Sequence, residues 1–163
     1  MAYGVTLQND IGEPFAAWRN YPYDFASFHL TGGNAQSRRQ WWVGDFRAQM
    51  AQGLLIGQAW MLSPLQLLNH PNLAPSRITA HTGSDEAQFY RGAAIRQRWG
   101  RWTIWAMASY RQHDARTEAD TVRTMLVAGL QRNLAELTQR YAQGVATLAA
   151  HAEWRKKRDF IGA

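Results

Sequence analysis

The sequence predicts an all-β fold: an antiparallel transmembrane β-barrel, or part of one, of about eight strands with one short helix near residues 133–141. Three observations carry this. Period-two alternation of apolar and polar side chains recurs along the chain, and alternate residues of a strand point to opposite faces. Several alternating segments carry aromatic rings at their ends, the pattern of a barrel wall between two membrane interfaces. No run of eighteen apolar residues exists, so a membrane crossing would have to be made by strands.

Taking the chain in order, Tyr3, Val5 and Leu7 alternate with Gly4, Thr6 and Gln8 as a first short strand. Asn9 to Pro14 is a turn by composition. Tyr23 to Leu30 is a second strand, with Ala26, Phe28 and Leu30 in one phase and Ser27 and His29 in the other. Arg39 to Met50 is the clearest strand. One phase (Trp42, Gly44, Phe46, Ala48, Met50) is apolar, and the other ends in Asp45, Arg47 and Gln49. The apolar phase reads as a lipid-facing side and the polar phase as a lumen-facing one. Gly53 and Gly57 mark a bend or a close backbone approach beyond it.

Met61 to Glu86 holds Pro64, Pro71 and Pro75 and reads as a long irregular connection, with a short helix around Leu65 to Leu68. Phe89 to Trp99 is the next strand, and Gly100-Arg101 a two-residue hairpin connection. Trp102 to Asp114 follows, with Trp102, Ile104, Ala106, Ala108 and Tyr110 as its apolar phase. Ala115 to Asp120 reads as a polar turn, and Thr121 to Leu130 as a further strand. Asn133 as N-cap, Glu136 at the third helical position and Leu134, Leu137 and Tyr141 on one side predict the helix. Gly144 to Trp154 alternates again, Arg155 to Arg158 is a basic turn, and Asp159 to Ala163 begins a strand and stops. Residues 1–163 are therefore expected to be a single β-barrel fragment, truncated at the C-terminus and at the N-terminus.

Composition narrows the chemistry. There is no Cys, hence no disulfide framework, thiolate nucleophile or Cys metal site. The formal net charge is +6, and the basic residues are almost all Arg, with Lys156 and Lys157 the only lysines. That balance suits anionic lipid or nucleic acid and equally the fixed charges of a barrel interior. Eight Trp beside six Tyr and six Phe is rich in rings that favour an apolar–wet boundary.

No catalytic constellation is found. His29, His70, His81, His113 and His151 lack a metal-ligand spacing. Ser84-Asp85-Glu86 lacks a calcium-loop pattern, and Gly53 to Gly57 has no following Lys-Ser/Thr. No Gly-x-Ser-x-Gly occurs. The expectation is not an enzyme, with no cofactor. The site expectations are two. Asp45, Arg47, Gln49, Arg111, His151 and Glu153 are expected to line a lumen. Arg96, Arg98, Trp99, Arg101 and Trp102 are expected at a membrane rim or, alternatively, against nucleic acid, where bases would stack on Trp and phosphates meet Arg.

Several pieces together resemble a known family. They are Val43-Gly44-Asp45-Phe46 with Gln52-Gly53-Leu54, then Phe89-Tyr90-Arg91-Gly92-Ala93-Ala94. Ser109-Tyr110-Arg111 with Asp114-Ala115 follows, and then Gly129-Leu130 and Arg132. In this order and spacing the chain resembles the large outer-membrane β-barrel proteins of Bacteroidetes-type bacteria labelled helix-hairpin-helix or DNA-uptake-like. The resemblance implies the bacterial outer membrane, membrane lipid and the remainder of the barrel as partners, and passage or surface handling of a solute or DNA. The family's helix-hairpin-helix region has no counterpart in these residues, so no DNA-contacting residue is carried over. Two other readings stand beside it: a soluble antiparallel β domain binding nucleic acid through Arg/Trp-rich faces, and a purely structural barrel segment.

Overall fold

The structure is a computed structural model. It describes residues 1–8, 25–53, 56–57, 75–83, 88–113, 115–118, 121–125, 143–155 and 160–162. The helices expected near 65–68 and 133–141 lie outside the described residues.

The fold is all-β and antiparallel. Its strands are β1 (Ala2–Gln8), β2 (Phe25–Gly32), β3 (Arg39–Gln49), β4 (Arg77–Ala80), β5 (Tyr90–Trp99), β6 (Trp102–His113), β7 (Ala115–Glu118), β8 (Thr121–Met125), β9 (Gln143–Arg155) and β10 (Phe160–Gly162). Eight of them form one sheet in the order β1-β2-β3-β5-β6-β9-β10, with β4 added on β3, while β7 and β8 pair separately. The sheet is open: β1 and β10 are its end strands.

Two strands differ from the sequence expectation. Arg77–Ala80 lies inside the segment expected to be irregular, yet it pairs with Phe46 to Gln49 of β3. Ala115–Glu118, expected as a turn, pairs with β8 across a register shift at Arg116/Thr117. Both are four residues long, too short for alternation to register, and their pairing partners make them strands.

The β5–β6 hairpin has the expected form. Trp99 pairs with Trp102, leaving Gly100 and Arg101 as the turn, and Gly100 has φ +62°. That left-handed backbone is what a two-residue hairpin needs and what glycine adopts without a Cβ penalty. The longest ladder joins β6 and β9, from Trp102↔Trp154 to His113↔Gln143.

β3 is the irregular strand. Its β5 side is paired without a break from Arg39↔Gln97 to Phe46↔Tyr90. Its other side is shared. β2 pairs with Trp41 to Gly44, then leaves, and β4 takes Phe46 to Gln49. The departure falls at Gly44, whose φ is +94° and whose Cβ, if it had one, would collide with the Phe28 carbonyl oxygen. After β3 the chain reverses through a 3₁₀ turn at Ala51–Gly53, where Gly53 has φ +83° and the Met50 amide donates to the Ile56 carbonyl at 2.7 Å.

Candidate functional site

The register sorts the side chains into two faces. On one face the cross-strand row Trp42–Ala94–Met107–Ala149 runs through β3, β5, β6 and β9. Trp42, Phe46, Ala48, Met50, Ile78, Ala94, Trp105 and Met107 form its buried apolar cluster. On the opposite face the row Leu30–Val43–Ala93–Ala108–Leu148 crosses five strands. This second face is apolar and exposed. Tyr3, Val5, Leu7, Phe28, Val43, Ile95, Trp99, Trp102, Ile104, Tyr110 and Leu148 are the exposed large hydrophobics borne on described strands, and all lie on it.

One end of the exposed face carries the row Trp99–Trp102–Trp154, with exposed Arg101 in the turn between the first two, while exposed Arg98 and Arg155 at the same end alternate onto the opposite face. Toward the other end Tyr110 is 61% exposed. Between them the face is mostly aliphatic and alanine.

The expectation for β2, β6 and β9 matches this face: Ala26/Phe28/Leu30, Trp102 to Tyr110 and Ala146 to Trp154 all contribute to it. The expectation for β3 does not. Its apolar phase, Trp42, Phe46, Ala48 and Met50, is turned to the packed face, and Trp41 and Val43 join the exposed one. The physical reason is pairing. Val43 stands opposite Ala93 and Leu30, so the side of β3 that looked polar continues the exposed row.

The six residues expected to share a lumen consequently divide. Arg111, His151 and Glu153 are on the packed face. Asp45, Arg47 and Gln49 are on the opposite side of β3, where β4 replaces β2. Asp45 is fully enclosed there and has a structural task. Its Oδ2 accepts the Phe28 amide at 3.1 Å, replacing the ladder partner that β2 lost on leaving β3. Arg91, opposite Asp45 in register, donates from Nε to Oδ1 at 2.7 Å and from Nη2 to Oδ2 at 2.8 Å, and also to the Ala26 carbonyl at 2.7 Å. A two-pronged guanidinium–carboxylate pair fixes orientation as well as charge. Beside it Arg47 Nε donates to His81 Nδ1 at 3.1 Å. Arg111 lies 3.8 Å over the Phe89 ring and donates to the Phe89 carbonyl. Phe25, His81 and Phe89 stack edge and face around this corner.

The five residues expected at a rim divide too. Arg98, Trp99, Arg101 and Trp102 are exposed around the hairpin tip. Arg96 is buried on the packed face, where one Nη2 donates to the carbonyls of Asn34, Ala35 and Ser37 at 3.0–3.2 Å. Its guanidinium lies 5.7 Å from the Trp105 ring centroid. Nothing local in the sequence marks Trp105 as their neighbour; only the register Arg96↔Trp105↔His151 brings these side chains together.

His151 Nε2 is 3.5 Å from Glu153 Oε1, and both side chains are almost wholly buried. No group of three or more His, Cys, Asp or Glu able to hold a metal occurs among the described residues. No described helix is long and apolar enough to cross a membrane, which leaves strand crossings open. Comparison with family models, with curated proteins and with solved structures gave no match.

Proposed function

We propose that the chain is a stretch of the wall of an outer-membrane β-barrel, with its exposed apolar face against lipid. One observation carries the reading: all the exposed large hydrophobics on described strands share a single face, closed at one end by a tryptophan row. Among the described residues twelve large hydrophobics are exposed; leaving out Met1, which precedes β1, eleven remain. Full burial of such a side chain is favourable by about 1.5–3 kcal/mol. Even at half that value, covering eleven gains on the order of 10 kcal/mol, as large as a typical domain's whole net stability. A surface of this kind belongs against another apolar phase. Lipid suits it because Trp and Tyr gather where that phase meets water.

The role that goes with such a wall is passage or surface handling of a solute. DNA as the cargo rests on the family resemblance alone. The soluble nucleic-acid reading is less well supported by the register. Arg96 and Arg98 alternate onto the face opposite Trp99 and Trp102, so they do not interleave with those rings on one surface.

The test is behaviour in detergent. The protein should fold only with detergent or lipid and run with heat-dependent mobility on gels. A chain that stays folded and monodisperse in plain buffer would overturn the membrane reading. Salt-sensitive binding of an oligonucleotide by that detergent-free protein would favour the soluble one.

A further inference from the structure

We propose that Arg96, Trp105 and His151, with Glu153 behind them, form a binding site for a small oxyanion on the packed face of the sheet. The proposal goes beyond the membrane reading and does not depend on it.

Arg96, Trp105 and His151 stand side by side in one cross-strand row on β5, β6 and β9. Each is at least nine-tenths buried, and Glu153, two residues along β9, is buried with them. Arg96 Nε, Trp105 Nε1, His151 Nδ1 and Nε2, and Glu153 Oε1 all lack a hydrogen-bond partner. Each buried polar atom left unpaired costs about 1–3 kcal/mol, and with His151 Nε2 and Glu153 Oε1 turned to each other, Arg96 Nε, Trp105 Nε1 and His151 Nδ1 remain to be met. Something polar must meet them.

The chemistry of the set says what. Arg96 Nε and Trp105 Nε1 can only donate. The Glu153 carboxylate lies 3.5 Å from His151 Nε2, so that edge of the ring faces the carboxylate and Nδ1 is the ring nitrogen left for a ligand. Glu153 is thereby a positioning residue, orienting the imidazole as carboxylates orient metal-bound histidines. The Arg96 and Trp105 donors, on adjacent strands with the His151 ring beside them, match the acceptor oxygens of a carboxylate or phosphate. The guanidinium of Arg96 adds a fixed positive charge, held in place by the three carbonyls that its Nη2 already meets. A metal cation is a poor occupant: the arginine would repel it, and only His151 and Glu153 are ligand types.

The experiment uses the full chain in detergent, with nitrogen-15 in the tryptophan indoles, titrated with inorganic phosphate and separately with acetate at constant ionic strength. Trp105→Phe identifies the Trp105 indole signal by its loss while keeping an apolar ring in place. The expected result is a saturable shift of that signal with at least one of the two anions; which anion acts tells phosphate from carboxylate as the group taken. Calorimetry should then show binding about tenfold weaker in Trp105→Phe and in Arg96→Lys, the value for one lost hydrogen bond to a charged ligand. No saturable shift with either anion in the parent chain would mean that water alone meets these atoms, and the proposal would fall. Equal affinity in Trp105→Phe would overturn it as well, whatever the detergent behaviour of the protein.

Discussion

Leu148→Arg puts a charge near the centre of the exposed face. Leu148 is 87% exposed and pairs with Ala108 in the row that includes Ala93 and Val43. It lies six residues from Trp154 on β9 (154 − 148 = 6). At about 3.3 Å per residue that is about 20 Å along the strand. With a strand tilt of about 40°, the separation along the membrane normal is about 15 Å, near the middle of an apolar band about 25 Å tall. An arginine at that depth costs about 2–4 kcal/mol, or an unfolding equilibrium shifted about 30- to 700-fold. In water the same substitution on so exposed a side chain would fall within about 0.5 kcal/mol of the parent. The two environments therefore predict different outcomes. The control is Gln112→Arg, on the same face but two residues beyond Tyr110 toward the strand end, where the cost should be about 0–1 kcal/mol. The assay is urea-dependent folding into phospholipid vesicles, followed by tryptophan fluorescence and by gel mobility before and after heating. If Leu148→Arg matches the parent within about 0.5 kcal/mol, or costs no more than Gln112→Arg, the placement of this face against lipid is wrong.

Other substitutions probe the frame that holds the faces apart. Asp45→Ala should destabilise the fold by about 2–3 kcal/mol, below the range for a fully buried ion pair because the Arg91 side chain stays 43% exposed, while Asp45→Asn should recover part of that loss by still accepting the Phe28 amide; denaturant midpoints would tell. Gly44→Ala should cost at least about 1–3 kcal/mol from its backbone conformation alone, before the clash with Phe28 is counted, and should appear as a lowered unfolding midpoint. At Gly100 nothing lies within reach of an added Cβ, so only the backbone angle matters: Gly100→Asn should be nearly neutral and Gly100→Val destabilising by about 1 kcal/mol or more. Equal effects of Asn and Val at that position would show that the turn is not left-handed.

How much of this was legible in the sequence depended on whether the signal was local. The Trp99–Trp102 hairpin and the long alternation of β6 and β9 depend on neighbours in the chain, and they could be read directly. β4 is a strand because β3 has a vacant edge opposite Tyr90, and nothing within Arg77–Ala80 announces that edge. Alternation also states which residues share a face without stating which face is turned inward. In β3 that ambiguity mattered. Asp45, Arg47 and Gln49 made one phase look polar, yet they are confined to the half of the strand paired with β4, and the other half of that phase is Trp41 and Val43. The packed-face cluster was half visible. His151 and Glu153 stood out as polar residues in an alternating strand, but Trp105 and the inward turn of Arg96 exist only through cross-strand register.

The shared edge of β3 has a geometric consequence. Near the tryptophan row β2 lies directly against β3, while at the far end β4 is interposed between their continuations. One extra strand adds about 4.8 Å of width to the wall at that end. The sheet therefore flares like a barrel stave that splits in two. Any tube completed from this wall would be wider at the Gln49 end than at the Trp99 end, a taper set by one glycine, one aspartate and the arginine that grips it.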